Sequence, residues 1–398
     1  MSKNLQIVLA VDTANTHQRK IARGVAAYGQ QKGHWDIHLV QDPLSNFPYL
    51  TNDPLEQPAN LRKWRADGII AAFPGREMAA AVRRVKIPVV GIEAEYGWCD
   101  PNWGIPYYAS DNEAIGQMAA EDLIERGLKH LAFCGIPATR YTGWSQQRQV
   151  AFEKRAKESG IGCSVFSGRS SSGGTTAKLH KELSAWLGSL PKPVGLMACY
   201  DVRARHVLMA CRSLGLSVPE DVSVIGVDND ELLCELTSPP LSSIEQGSHR
   251  IGFQAAVLLD RLMAGQKAPQ LKYLVEPEGI VTRQSSDTLA IKDADVAGAL
   301  RFIREHACER IQVQDVVQVV AVSRSALEMR FKAVTGRTIH AEIQRVQLGY
   351  ARRLVAATDM PLKQVATAAG FRYLQHMTTL FRRHTGQTPG EYRKRSCD

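Results

Sequence analysis

Two stretches near the carboxyl end carry one pattern, and that repeat commits the last quarter of the chain to short, closely crossing helices. The first runs Val313-Gln-Asp-Val-Val-Gln-Val-Val-Ala-Val-Ser323-Arg-Ser-Ala-Leu327-Glu-Met-Arg-Phe331-Lys-Ala-Val-Thr-Gly336. The second runs Pro361-Leu-Lys-Gln-Val-Ala366-Thr-Ala-Ala-Gly370-Phe371, then Gln375-His-Met-Thr-Thr-Leu-Phe381-Arg-Arg-His-Thr-Gly386. Each reads as a short apolar helix, a tight turn and a second helix ending in aromatic-basic-x-x-x-Gly. A helix-turn-helix needs small residues where its helices cross and a second helix with polar outward positions. Two on one chain can address adjacent major-groove faces of duplex DNA without dimerising.

Charge supports that reading. The chain of 398 residues has a net charge of +9, unevenly spread. Residues 290–398 hold 18 Lys/Arg against 10 Asp/Glu, whereas the first 289 hold 31 against 30. A basic carboxyl-terminal unit beside a neutral, larger one suits contact with phosphates. The length predicts two or three compact units. The eight cysteines show no C-x-x-C and no histidine spacing for a metal, so neither a disulfide framework nor a metal site is expected. The amino terminus enters a strand-like run without the apolar core of a signal peptide, and no long apolar run could span a membrane. A cytoplasmic chain with no membrane partner is the expectation.

Residues 5–285 alternate short β-branched runs with amphipathic stretches. Residues 6–11, 68–72, 89–92, 131–135, 195–199 and 222–227 read as buried parallel strands; 18–31, 112–127, 147–159 and 204–214 read as helices. The fold class predicted is α/β, with doubly wound layers whose ligands sit outside the carboxyl ends of the strands.

The carboxyl-terminal motifs resemble the AraC/XylS family of bacterial transcription regulators over residues 295–396. The likeness includes the helix from His340 to Ala357, the Ala366…Gly370-Phe371 turn and Gly386-Gln-Thr-Pro389-x-x-Tyr392-Arg393. The first copy departs from the family pattern. Val317 stands at a usually small position and Ala321 where glycine is usual, so a positive φ at 321 would be strained. Residues 5–285 resemble the effector-binding core of LacI/GalR-type regulators, built like a periplasmic sugar-binding protein. That likeness rests on Ser110-Asp111-Asn112 with its helix, Arg148-x₃-Phe152, Asp201-x₂-Ala204, Asp221 through Asn229, and Leu241-Ser-Ser-Ile-Glu-Gln246. That family's amino-terminal DNA-binding headpiece is expected to be missing, because the sensor pattern begins at Leu5.

The combination, with Tyr200-Asp-Val-Arg-Ala-Arg-His206, Ile225-Gly-Val-Asp-Asn-Asp-Glu231 and Phe302-Ile-Arg-Glu-His-Ala-Cys308, is similar to bacterial D-xylose operon activators. The resemblance implies a two-lobed sensor over 1–285, a linker over 286–296 and an all-α domain with two helix-turn-helix motifs over 297–398. It implies a DNA-binding transcription regulator, not an enzyme, needing no cofactor. Its partners would be double-stranded promoter DNA, D-xylose or a related sugar, RNA polymerase and a second copy of the chain.

A neutral sugar calls for carboxylates accepting hydroxyls, for amides and guanidinium donating to them, and for aromatic faces. The positions matching the family's sugar contacts are Asn15, Asp111, Arg148, Asp201, Asp228, Asn229 and Gln246, with Tyr200, Trp64 and Trp144 as candidate stacking rings. Asp111 equally suits a helix cap, and Asp228 a turn. Two acids beside a sugar also occur in glycosidases, but the basic tail favours holding over hydrolysis, and no catalytic residue is assigned. The Gly168-x₄-Gly173 spacing lacks the lysine of a phosphate loop, Gly174 standing in its place. A transport or chemoreceptor protein is disfavoured by the same basic tail.

At the DNA end, recognition helices are predicted over 323–335 and 374–385. Ser325, Glu328 and Met329 in the first, and Leu374, Gln375, His376 and Thr379 in the second, would face the bases. Gln375 suits adenine, and Glu328 the cytosine amino group. Arg324, Arg330, Lys332, Arg382 and Arg383 would meet phosphates. Leu327, Phe331, Met377 and Phe381 recur at helical spacing and should be core.

Overall fold

Six short apolar runs in the first part of the chain pair into a parallel sheet. In this computed structural model, which describes residues 4–40, 66–72, 86–93, 104–138, 142–168, 176–287 and 293–397, its strands are β1 (Leu5–Ala10), β2 (Trp35–Val40), β3 (Gly68–Ala72), β4 (Val89–Ile92), β5 (Tyr107–Ser110) and β11 (Lys272–Val275). They lie in the order β2-β1-β3-β4-β5-β11, all parallel. A second sheet runs β7-β6-β8-β9-β10-β12 from β6 (His130–Cys134), β7 (Gly162–Phe166), β8 (Val194–Ala198), β9 (Val222–Val227), β10 (Ser242–Glu245) and β12 (Gly279–Val281). Only β12 is antiparallel to its neighbour. The central strands β8 and β9 are buried at every position, as their Val/Ile/Leu/Met/Ala/Gly character, interrupted only by Ser223, requires when helices cover both faces.

The first lobe is covered by α1 (Thr16–Lys32) and α7 (Ser248–Met263). The second is covered by α2 (Asn112–Glu125), α3 (Gly143–Glu158), α4 (Thr176–Ser189), α5 (Asp201–Ser213) and the short α6 (Glu231–Leu236). Each lobe has its own apolar core, one around Ile7, Leu9, Val90 and Leu259, the other around Leu196, Val224, Phe133 and Phe152. The chain crosses between lobes after β5, after β10 and after β11. In both sheets the order puts the point of reversal beside β1 or β6, so the strand carboxyl ends open toward the crossings.

The carboxyl-terminal part holds α8 (Ala294–His306), α9 (Val313–Gln318), α10 (Arg324–Thr335), α11 (Ile339–Ala357), α12 (Leu362–Ala368), α13 (Leu374–Thr385) and α14 (Pro389–Cys397). The architecture is therefore two α/β lobes followed by a helical unit with two helix-turn-helix motifs. Leu327 and Phe331 are buried in the first helical core, Met377 and Phe381 in the second. The expected linker falls partly on 288–292, outside the described residues. At its margins Ser286 is buried in the sensor, while Asp293 caps α8 through Asp295 and Val296. Trp64 and the loop 169–175 also lie outside the described residues.

The two turns are built differently. Gly370 has φ 80° and sits so close to the Ala307 carbonyl that a Cβ would fall 2.7 Å from it. Ala321 adopts no positive φ, so the strain expected there does not arise. Val317 packs half-buried against the first helical core instead.

Candidate functional site

The carboxyl ends of the strands converge on one buried polar chain between the lobes. Arg148 projects from α3 and is only 4% exposed. It donates through Nε to Asn112 Oδ1 at 2.9 Å, through Nη1 to the Cys199 carbonyl at 2.6 Å and through Nη2 to Gln246 Oε1 at 2.7 Å. Gln246 in turn donates from Nε2 to Asp228 Oδ1 at 2.6 Å. Asn112 and Gln246 stand at two of the lobe crossings, so this chain ties the hinge to the end of β9. The Trp144 ring lies 4.8 Å from the Arg148 guanidinium and meets Tyr200 edge-on at 5.7 Å. Trp144 thus braces the arginine.

Asp228 ends β9 with φ 110°. Burial pushes its carboxyl up to about 6, although Arg148, His17 and Lys20 pull the other way. Asn229 gives its backbone N–H to Ser243 Oγ at 2.9 Å, and its Oδ1 accepts from Arg283 at 2.9 Å. Asp201 is 1% exposed. Its Oδ2 accepts the Asp230 N–H at 2.8 Å and its Oδ1 the Ser243 hydroxyl at 2.6 Å. Both oxygens therefore shape the loop after β9 rather than face the cleft. Burial, then the Asp228 charge, hold its carboxyl well above the usual range. Asp111 caps α2, accepting from the Ala114 N–H at 2.9 Å, which is the rival role its position suggested. Asn15 caps α1 through the Gln18 N–H at 3.3 Å.

Sequence reasoning missed the other wall of the cleft, contributed by the first turns of α1 and the ends of β4 and β5. His17 bonds Ser248 Oγ through Nδ1 at 2.7 Å and Glu93 Oε1 through Nε2 at 2.8 Å. Glu93 also accepts the Ser110 N–H at 3.0 Å and hydroxyl at 2.9 Å. Burial alone would raise the Glu93 carboxyl, but His17 and Ser110 outweigh it and hold it below its ordinary value. Lys20 reaches the carbonyls of Asp228 at 2.9 Å and Asn229 at 3.0 Å and pairs with Glu245. Thr16 and Arg19 meet Asp230 across the same gap. The signal was there in outline: Thr16, His17 and Lys20 put polar groups on consecutive turns beside Asn15.

These residues bring carboxylate acceptors, fixed donors and an aromatic edge together between the lobes, the donor and acceptor mix a polyol needs. Among the described residues no cluster of His, Cys, Asp and Glu is placed to hold a metal, and no helix is long and apolar enough to cross a membrane.

At the other end, Ser325, Glu328, Met329, Gln375, His376 and Thr379 are exposed on α10 and α13, as are Arg324, Lys332, Arg382 and Arg383. Several expected contacts carry other duties. Arg330 is paired with two carboxylates: it binds Asp293 through Nε at 2.6 Å and Asp295 at 3.0 Å. Leu374 is half-buried against the second helical core, Glu328 pairs with Arg324 at 2.9 Å, and His376 meets Gln344 at 3.3 Å. Gln347, on α11, donates to the carbonyls of Ala307 at 2.8 Å and Gly370 at 3.2 Å, fixing the two helix-turn-helix units to one another.

Comparison with known proteins gives matching models over most of the chain. Residues 6–113 match an XylR N-terminal domain, 120–286 a periplasmic binding protein-like domain and 316–395 a helix-turn-helix domain. The xylose operon regulatory protein of Escherichia coli strain K12 is 33% identical over 98% of this chain and 97% of its own length. That of Haemophilus influenzae is 33% identical over 98% of each. Among solved structures, one described as the xylose-binding transcription activator XylR superposes with a TM-score of 0.63 at 33% identity, covering 99% of this chain and 98% of that one. The lac repressor dimer on operator DNA matches at 0.54 with 19% identity, covering 72% of this chain and 95% of the other, a likeness of fold.

Proposed function

The chain belongs to the family of xylose operon regulatory proteins and is a transcription regulator, and on that premise we propose that D-xylose or a close pentose, held between the sensor lobes, switches its grip on promoter DNA. The observation that carries this is the Arg148–Gln246–Asp228 chain, which joins the lobe crossing to the end of β9. Asp228 and Glu93 supply acceptors, while Arg148, Gln246, Lys20 and His17 supply or steer donors. Asp201, Asp111 and Asn15 hold the loops that shape the cleft. The exposed faces of α10 and α13 read two successive major-groove segments, with Gln375 at a base edge and Arg383 at a phosphate. We place the protein in the cytoplasm, acting as a homodimer that recruits RNA polymerase.

A thermal-shift screen over xylose, arabinose, ribose, glucose and galactose tests the sensor reading, because a ligand that binds only the folded state raises its stability by mass action. Xylose should raise the unfolding temperature of the wild type and leave the Arg148→Gln variant unmoved, with the sugar recovered unchanged. No shift with any pentose, or consumption of the sugar, overturns it.

A further inference from the structure

The helical unit meets the sensor at the carboxyl end of α2. Glu125, the last residue of that helix, takes Arg337 at 3.2 Å on Oε1 and Arg345 at 2.7 Å on Oε2. Arg337 directly follows Gly336, which ends the first recognition helix, and Arg345 lies on α11. Glu342, 3% exposed, binds the same two arginines at 3.4 and 2.8 Å from within the helical unit. Both guanidinium groups are therefore shared between a sensor carboxylate and a carboxylate of the DNA-reading part.

Beside this joint lies a cavity of about 420 Å³, lined by Glu121, Ile124 and Lys129 from the sensor and by Leu300, Val334 and Thr335 from the helical unit. The two parts thus touch through ion pairs around an open space rather than through a packed apolar face. Half-exposed ion pairs are weak individually and reversible, and an interface of this kind permits relative motion of the parts.

The other end of α2 lies in the effector cleft. Asn112, its first residue, receives Arg148 Nε at 2.9 Å and donates to Gln147 at 3.1 Å. The helix from the cleft end to the joint is fourteen residues long, so the two ends stand about 20 Å apart at the rise of an α-helix. Along that length α2 lies hard against α3. At Gly116 a Cβ would sit 2.4 Å from the Arg148 carbonyl. Arg126, 2% exposed, binds Asp122, the Ser286 carbonyl and the Thr282 hydroxyl, so α2 also holds the segment by which the chain leaves the sensor.

We infer that Glu125 is a latch: it fixes how the DNA-reading unit is held against the sensor, and α2 carries the state of the effector cleft to it. The transmission part of this inference rests on the sugar reading above; the latch itself does not. A sugar that takes Arg148 and Gln246 as donors alters the bond to Asn112. Because α2 moves as one rod with α3, a shift there re-seats Glu125 against Arg337 and Arg345. Small helix shifts at an interface are an ordinary form of such switching.

Two measurements on the full chain test it. Small-angle X-ray scattering of Glu125→Gln without sugar should show a longer maximum dimension than wild type. In operator titrations, the ratio of affinities with and without xylose should shrink by roughly three- to tenfold in Glu125→Gln, within the usual range of allosteric coupling. The sugar affinity of the DNA-free protein should change as well, because a latch that sugar re-seats must by linkage act back on sugar binding. Identical scattering of variant and wild type overturns the latch, and an unchanged affinity ratio overturns its role in transmission. If xylose leaves wild-type operator binding unmoved, the sugar reading fails and with it transmission, while scattering still decides the latch.

Discussion

Replacing Asp228 by asparagine sets the usefulness of the cleft against the cost of building it. Asn tolerates positive φ about as well as Asp, and its Oδ1 can still accept the 2.6 Å bond from Gln246. Shape is kept and charge removed. Burial raises the carboxyl from its ordinary 3.8 to about 6, so the folded chain binds this proton more tightly than the unfolded one. Ionising Asp228 therefore costs stability, a cost that grows as pH rises from the unfolded value through about 6 and is constant above it. A shift of about two units corresponds to ~3 kcal/mol, reduced to roughly 1–2 kcal/mol because the side chain is partly exposed. The asparagine variant should unfold at a higher temperature than wild type at about pH 7.5, and the advantage should vanish near pH 4. Xylose affinity should fall in the same variant, because hydrogen bonds to an ionised acceptor are worth ~1.5–3 kcal/mol, or roughly ten- to a hundredfold. Wild-type affinity should drop by about three- to fivefold from pH 6 to pH 5 as the carboxylate protonates, and that of the variant should stay flat. Calorimetric unfolding and isothermal titration read both quantities. A variant no more stable at neutral pH, or one with undiminished affinity, would refute the reasoning.

Three further outcomes follow from the packing and the DNA-reading face. Gln375→Ala should weaken operator binding by ~1–3 kcal/mol with little effect on random DNA, whereas Arg383→Ala should weaken both and lower the salt slope by about one; competition titrations at two salt concentrations separate them. Arg330→Ala should leave the salt slope of DNA binding unchanged, because its guanidinium is spent on Asp293 and Asp295, and a reduced slope would return it to the phosphates. Gly116→Ala forces α2 and α3 apart and should cost ~1–3 kcal/mol in thermal unfolding, together with a loss of xylose affinity through Arg148; an unperturbed variant would show that the two helices part freely.

The centre of the fold was legible because its strands are buried on both faces and so read as short, largely apolar and β-branched runs; 68–72, 89–92 and 222–227 coincide with β3, β4 and β9. Of the strands that were missed, β5 and β10 are mostly buried but only four residues long and carry Ser110, Ser242 and Ser243, while β7 and β11 lie toward the sheet edges, where burial is partial. β7 is partly buried at four of its five positions, and β11 alternates exposed with covered residues. In the cleft, Arg148, Asp228 and Gln246 could be picked out through resemblance to sugar-binding regulators. His17, Lys20 and Glu93 could not, because the bonds that join them across the cleft reach partners 76 to 231 positions away along the chain, with only Ser110 nearer to Glu93. Arg330 shows the limit of reading charge along a helix. Its charge in the first recognition helix marked it for a phosphate, but nothing local announces that the acids meeting it are 37 and 35 residues earlier.

The central claim is that one chain joins a sugar held between the sensor lobes to the reading of DNA by α10 and α13. Fluorescence anisotropy of labelled promoter DNA, titrated with the full chain at one fixed salt concentration with and without D-xylose, tests it most directly. Xylose should change operator affinity by about fivefold or more, leave random DNA untouched, and have no effect in Asp228→Asn at the same sugar concentration. Equal shifts on operator and random DNA, or a wild-type curve that xylose does not move, would contradict it.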